Sequence, residues 1–184
     1  ICHADLDPNL YRNRDEIPNN GIDDDNNGKI DDYRGWDFPF QSDTPFVDFH
    51  GTAVASIIGA KGNNGKGVTG VNWDVKIMPV AMGQITEAAT IEAMDYVWTF
   101  RKRYNASQGQ TGAFVVAINT SFGLDFVQPD SMPIWCGFYD SLGAAGILSV
   151  ASTMNRNANV DSVGDMPTSC GSDYLIAVNN TNKL

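Results

Sequence analysis

Two textures divide the chain. Through the first 49 residues, apolar positions are scattered without period among Asp, Asn, Gly and Pro, the composition of loop rather than packed element. From Thr52 the texture changes, and apolar runs of element length follow one another. Residues 52–60 are small and apolar and predict a buried helix that ends at Gly62-Asn63-Asn64-Gly65. Residues 75–80 predict a short strand. Residues 86–104 place Ile91, Met94 or Asp95, and Trp98 at three-to-four spacing, an amphipathic helix that Thr86 or Thr90 can cap. Its last turns hold Arg101, Lys102 and Arg103, which suit the C-terminal dipole. Residues 113–118 and 146–151 are continuous apolar runs of strand length, 136–145 reads as helix between them, and 174–178 is one more strand. Strands without polar alternation, separated by helices, predict an α/β fold with a mainly parallel sheet covered on both faces, a three-layer α/β/α arrangement. No internal repeat or interdomain linker interrupts it, so residues 1–184 are expected to form a single domain.

Charge narrows the partners. Twelve Lys and Arg against 22 Asp and Glu give a formal net charge of -10, which phosphate backbones and anionic lipid surfaces repel; nucleic acid and membrane partners are not expected. No apolar run approaches the roughly 20 residues of a membrane span, and the chain is expected to be soluble as given. Its first residues carry no leader, but an export signal would have been removed before Ile1. With 42% hydrophobic and 18% charged residues the chain can build one core. The three cysteines Cys2, Cys136 and Cys170 contain no CxxC pair, which argues against a structural zinc site, and their odd count leaves at least one thiol over. A Cys136 to Cys170 bridge is favoured over two buried free thiols.

In sheets of this kind the chemistry gathers at the carboxyl ends of strands. His50 precedes the small-residue helix, Asn119-Thr120-Ser121-Phe122-Gly123 follows one apolar strand, and Ser152-Thr153-Met154-Asn155 follows the next. Ser121 could pass for a nucleophile, but it stands at a strand end and not at a helix start. Gly65-Lys66-Gly67-Val68-Thr69-Gly70 is a literal GxGxxG that follows a helix and precedes a strand, the reverse of the dinucleotide fingerprint. The sequons at Asn105, Asn119 and Asn179 are motifs short enough to arise by chance.

The stretch Asp48-Phe49-His50-Gly51-Thr52-Ala53-Val54-Ala55-Ser56 resembles the catalytic histidine motif of subtilisin-like serine proteases, with Ala53 and Ser56 where that family has a second His and a Gly. Asn119 to Gly123 is similar to the family's Asn-Met-Ser-Leu-Gly strand end, which implies that Ser121, Phe122 and Gly123 line the cleft where extended peptide or protein substrate adds as a strand. Leu148 to Asn155 resembles the segment that carries the oxyanion-hole asparagine, with Met154 in place of a Gly. The resemblance implies that His50 is the catalytic base and Asn155 the oxyanion donor. Met166-Pro167-Thr168 and Tyr174 to Val178 match further family stretches in order and spacing.

The resemblance runs from Ile1 to Asn180 and stops at both ends. The family's Asp motif would lie just before Ile1, since Ile1 and His3-Ala4-Asp5-Leu6 resemble the residues that succeed it, and its Gly-Thr-Ser motif would come after Leu184. The chain is therefore expected to be an incomplete catalytic domain, inactive alone, of a secreted or cell-surface endopeptidase of bacterial type. A subtilase fold whose catalysis has lapsed, serving as a binding or adhesion module, is the alternative. Oligomeric state is left open.

Residues 15–40 form an acidic insert. Asp23, Asp25, Asn27, Gly28 and Asp31 occupy positions 1, 3, 5, 6 and 9 of a calcium loop, with the Lys29 carbonyl at position 7. Position 12 is Arg34, so a structural calcium would have to recruit Asp32, Asp37 or a distant ligand. Subtilases with similar Gly-Ile-Asp-Asp-Asp-x-Asn-Gly inserts support the same expectation.

Overall fold

The computed structural model describes residues 3–44 and 48–181, which fall into two compact units, one up to Gly83 and one from Gln84. Cys2, the thiol left over by the odd count, lies outside the described residues, as do Ile1 and Leu184.

In the first unit, long loops are tied together by a few buried polar groups. The carboxamide of Asn9, itself buried, donates to Gly59 O at 2.9 Å and to Trp73 O at 2.8 Å. On either side of it, Tyr11 N donates to Ile77 O and Ile77 N to Asn9 O, a parallel bridge that needs no regular strand. Leu6, Leu10, Ala55 and Ala60 form the small core around it, with Ile77 against them. β1 (Trp36–Asp37) and β2 (Val80–Ala81) pair in parallel, Trp36 opposite Val80. The strand expected over residues 75–80 is therefore confined to its end, because Pro79 has no N–H to give and contributes only a carbonyl, to Trp36 N. Helix α1 (Phe49–Gly59) begins three residues earlier than its apolar run because Asp48 caps it, its carboxylate accepting from Gly51 N at 2.7 Å. The small residues follow from close packing: a Cβ on Gly59 would come within 2.3 Å of the Val75 side chain.

The second unit holds the parallel sheet. Helix α2 (Glu87–Ala106) is capped by Thr86, whose hydroxyl accepts from Ala89 N. β3 (Ala117–Thr120), β5 (Leu148–Ser152) and β7 (Leu175–Val178) form a sheet in the order β3-β5-β7, all parallel. Between them lie β4 (Leu124–Asp125), helix α3 (Pro133–Ala144), the short helix α4 (Val160–Val163) and β6 (Asp165–Met166), with β4 and β6 antiparallel. One core joins Met94 of α2 and Trp135, Tyr139 and Leu142 of α3 to Ile147, Met166 and Cys170, with Ile118 and Leu175 of the sheet packed on it. Strand residues of the opposite face, Leu148, Ile176 and Val178, are 38%, 47% and 48% exposed. β3 starts four residues later than the apolar run 113–118 predicts. Arg101, placed by its position in the last turns to suit the helix dipole, is buried, and its guanidinium donates to Val115 O; the ladder opens one residue later, with Leu148 N donating to Val116 O. Cys136 and Cys170 are joined, as the cysteine count favoured.

Candidate active site and metal centre

His50 sits in the first turn of α1, where Asp48 fixes the chain's entry into the helix. Its imidazole is exposed and meets no hydrogen-bond partner among the described residues. The side chain is thus positioned by a capped helix start. His3, by contrast, is engaged locally: its Nδ1 accepts from Asp5 N at 3.3 Å.

The second unit assembles the other candidate residues around one pocket of about 100 Å³, lined by Ser121, Phe122, Gly123, Asp125, Asn155 and Asp165 among others. Its walls are held by pairing. Gly123 leads into β4, whose residues lie opposite β6, Leu124 to Met166 and Asp125 to Asp165. The glycine is required there, since a Cβ would stand 2.3 Å from Met166 O. Asn119 Nδ2 donates to Ser121 Oγ at 2.9 Å, so the serine hydroxyl accepts from a strand residue and has no base beside it, which fits a wall rather than a nucleophile. Asn155 follows β5 on the turn after Met154. It is exposed, and its carboxamide meets no partner among the described residues. Met154, which stands in place of the Gly of the resembled segment, is buried, and its N–H donates to Asp165 Oδ2 at 3.0 Å. Asn155 also borders a wider hollow of about 660 Å³ between residues 153–160 and 179–181.

In the acidic insert the structure gathers only part of the expected ligand set. Carboxylate oxygens of Asp23, Asp25 and Glu16 converge within 4.8 Å of one another. Glu16 was not expected. It is 5% exposed, its Oε1 accepts from Asp25 N at 3.0 Å, and its Oε2 is buried without a hydrogen bond. Burial pushes its carboxyl above the ordinary 4.5; the nearby carboxylates of Asp32, Asp25 and Asp24 add to this, against the bond from the Asp25 amide. Asn27 donates to Asp25 and Asp32, and its own Oδ1 accepts from Lys29 N. Asp31 is turned elsewhere, its two oxygens accepting from Asn20 N and Gly21 N. A buried oxygen without a donor, beside two further carboxylates, is a donor set for a hard cation. The only advance signal for Glu16 was an acidic side chain within the insert but seven residues before its loop.

The sequence matches the Subtilase family over residues 1–183. The chain belongs to that family. Subtilisin-like protease 1 of Plasmodium berghei is 33% identical over 172 residues, 89% of this chain and 26% of its own length. Its counterpart from Plasmodium falciparum is 45% identical over 78 residues, 41% of this chain and 11% of its own length. The chain thus spans about a quarter, or less, of these curated relatives. A solved protease from Pseudoalteromonas arctica PAMC 21717 superposes with a TM-score of 0.59 at 24% identity, covering 96% of this chain and 51% of that one. At that identity the likeness speaks for the fold, and the subtilase α/β fold with mainly parallel strands is what the sequence predicted. No described helix is long and apolar enough to cross a membrane.

Proposed function

We propose that this chain is part of a secreted serine endopeptidase in which His50 is the general base and Asn155 the oxyanion donor. The observation that carries the reading is that Asn155 presents an uncommitted carboxamide on the same pocket as Ser121, Phe122 and Gly123. Extended peptide would add along that strand end. His50 would take the proton of a serine hydroxyl as it attacks the scissile carbonyl and return it to the leaving amine, with a carboxylate orienting the ring. No Gly-Thr-Ser motif stands in the sequence; in this reading the nucleophile and the orienting aspartate are supplied from outside these residues, and the chain alone turns nothing over. As charge develops on the carbonyl oxygen the Asn155 bond strengthens, so its loss raises the barrier more than it weakens ground-state binding.

A fluorophosphonate probe tests this. The full-length protein should label stoichiometrically and the isolated chain not at all; a full-length protein that stays unlabelled is the lapsed binding module. Asn155→Ala should lower kcat by roughly 100- to 1,000-fold, the loss recorded for the corresponding donor of subtilisin itself, with KM nearly unchanged. Full kcat per titrated site would remove Asn155 from the mechanism.

The same reading includes a structural calcium held by Asp23, Asp25 and Glu16, with the Asn27 to Lys29 turn beside them. Glu16 supplies the carboxylate that Arg34 cannot give at position 12. The cation would neutralise the converging carboxylates and stabilise the native state by mass action. Calcium should raise the melting temperature relative to chelator, and Glu16→Gln should abolish that rise; an unchanged difference removes Glu16 from the site.

A further inference from the structure

The small pocket beneath Ser121, Phe122 and Gly123 has a charge that the catalytic reading leaves unused. Two carboxylates line it, Asp125 and Asp165. Asp125 is answered at the surface, where Arg156 Nε lies 2.6 Å from its Oδ2. Asp165 is different. It is 1% exposed, and among the described residues no cation pairs with it. Its Oδ2 accepts from Met154 N and from the Thr168 hydroxyl, and no described donor reaches its Oδ1. A buried carboxylate that lines a pocket, with one oxygen held by two neutral donors and no described donor on the other, is half solvated by the protein. Whatever enters the pocket meets a carboxylate whose second oxygen has no described donor.

We propose that this pocket is a subsite selecting a basic P1 side chain, with the Asp165 carboxylate as the anionic group at its base. The assignment rests on the protease reading above. An apolar P1 side chain would dehydrate Asp165 Oδ1 and leave it without a donor, and an acidic one would meet like charge. A lysine or arginine head makes a charge-assisted hydrogen bond to that oxygen in a site shielded from salt. The competing role for Asp165 is that of a staple between the turns at Met154 and Thr168. That role requires only an acceptor, so asparagine can fill it, and the two are separable.

The test uses the full-length protein and peptides that differ only at P1. Lys or Arg should exceed Ala, Leu and Glu in kcat/KM by roughly 10- to 100-fold, the range of one charge-assisted hydrogen bond. Asp165→Asn keeps an oxygen for Met154 N and Thr168 and should reduce that ratio to within about 3-fold of unity. A wild-type preference for Leu or Glu, or a ratio unmoved by Asp165→Asn, overturns the proposal. Binding of n-butylammonium, the lysine head without a scissile bond, gives a readout apart from turnover. It should bind wild type and lose at least about 10-fold in affinity in Asp165→Asn; failure to bind wild type also overturns the subsite. Binding without cleavage of any peptide would uphold the subsite and sink the protease reading, whereas cleavage without basic preference would do the reverse.

Discussion

Replacing Cys136 and Cys170 together by alanine measures how far the second unit depends on its cross-link. The bridge ties α3 to the segment after β6 and closes 34 residues. Removing it frees the unfolded chain, whose entropy rises by roughly 2.1 + 1.5R ln n, about 12 to 13 cal/mol/K for this loop, or about 3.8 kcal/mol at 25 °C. For a body of this chain's length 1 kcal/mol moves the midpoint by about 2 to 4 °C, so the double variant should melt about 8 to 15 °C lower. Both cysteines pack against the Met166 thioether, the Cys170 sulfur at 3.7 Å and the Cys136 sulfur at 3.9 Å, so lost sulfur contacts act in the same direction. Thermal melting by circular dichroism, with both single variants alongside, is the assay. Each single change already opens the loop, so each should reproduce most of the double variant's loss. A double variant that melts within about 3 °C of wild type would refute the reasoning, because the 34-residue closure would then cost the unfolded chain almost nothing.

Three further outcomes rest on single contacts. Asp48→Ala removes the cap on α1 and should cost about 0.5 to 2 kcal/mol of stability while lowering kcat through looser placement of His50; Asp48→Asn, which keeps an acceptor, should restore both, and an Ala variant with unaltered kcat and melting would refute the anchoring role. Gly123→Ala drives a Cβ against Met166 O and should separate β4 from β6, costing about 1 to 3 kcal/mol and raising KM for peptide; an unchanged KM and melting curve would show the approach to be relaxed. Asp5 accepts from Asn64 and, next in effect, from Val68 N, which hold its carboxyl below the ordinary 3.8. Stability from such a group is complete above pH 3.8 and disappears as pH falls through the lowered value, so Asn64→Ala should move the acid-unfolding midpoint to higher pH. An unmoved midpoint would sever that link.

What was legible in the sequence had a period or a closed list of alternatives. Helix α2 shows in its apolar spacing, α1 in its run of small apolar residues and the parallel order of β3, β5 and β7 in runs without polar alternation, while α3 begins at Pro133, three residues before the helix read over 136–145. The Cys136 bridge had few competitors among three cysteines. What was not legible depends on chain segments meeting from a distance. β4 and β6 are two residues each and too short for any period to register, yet their pairing shapes the pocket wall. The burial of Arg101, whose guanidinium donates to Val115 O ahead of β3, runs against its residue type. Glu16 and Asp165 look in the sequence like any other solvated acid, and only their burial marks them out.

The position of Asp31 has a consequence for how the acidic insert would treat ions. By accepting from Asn20 N and Gly21 N it ties the two ends of residues 20–31 together. Asn26 and Asp31 adopt left-handed backbone there, and their confinement is completed during folding. A cation entering beside Glu16 would find its cage already shaped and would have to shed water, but not order a loop. Preorganisation of this kind shifts discrimination onto ion size, because a rigid cage cannot contract around a smaller, more tightly hydrated ion such as magnesium.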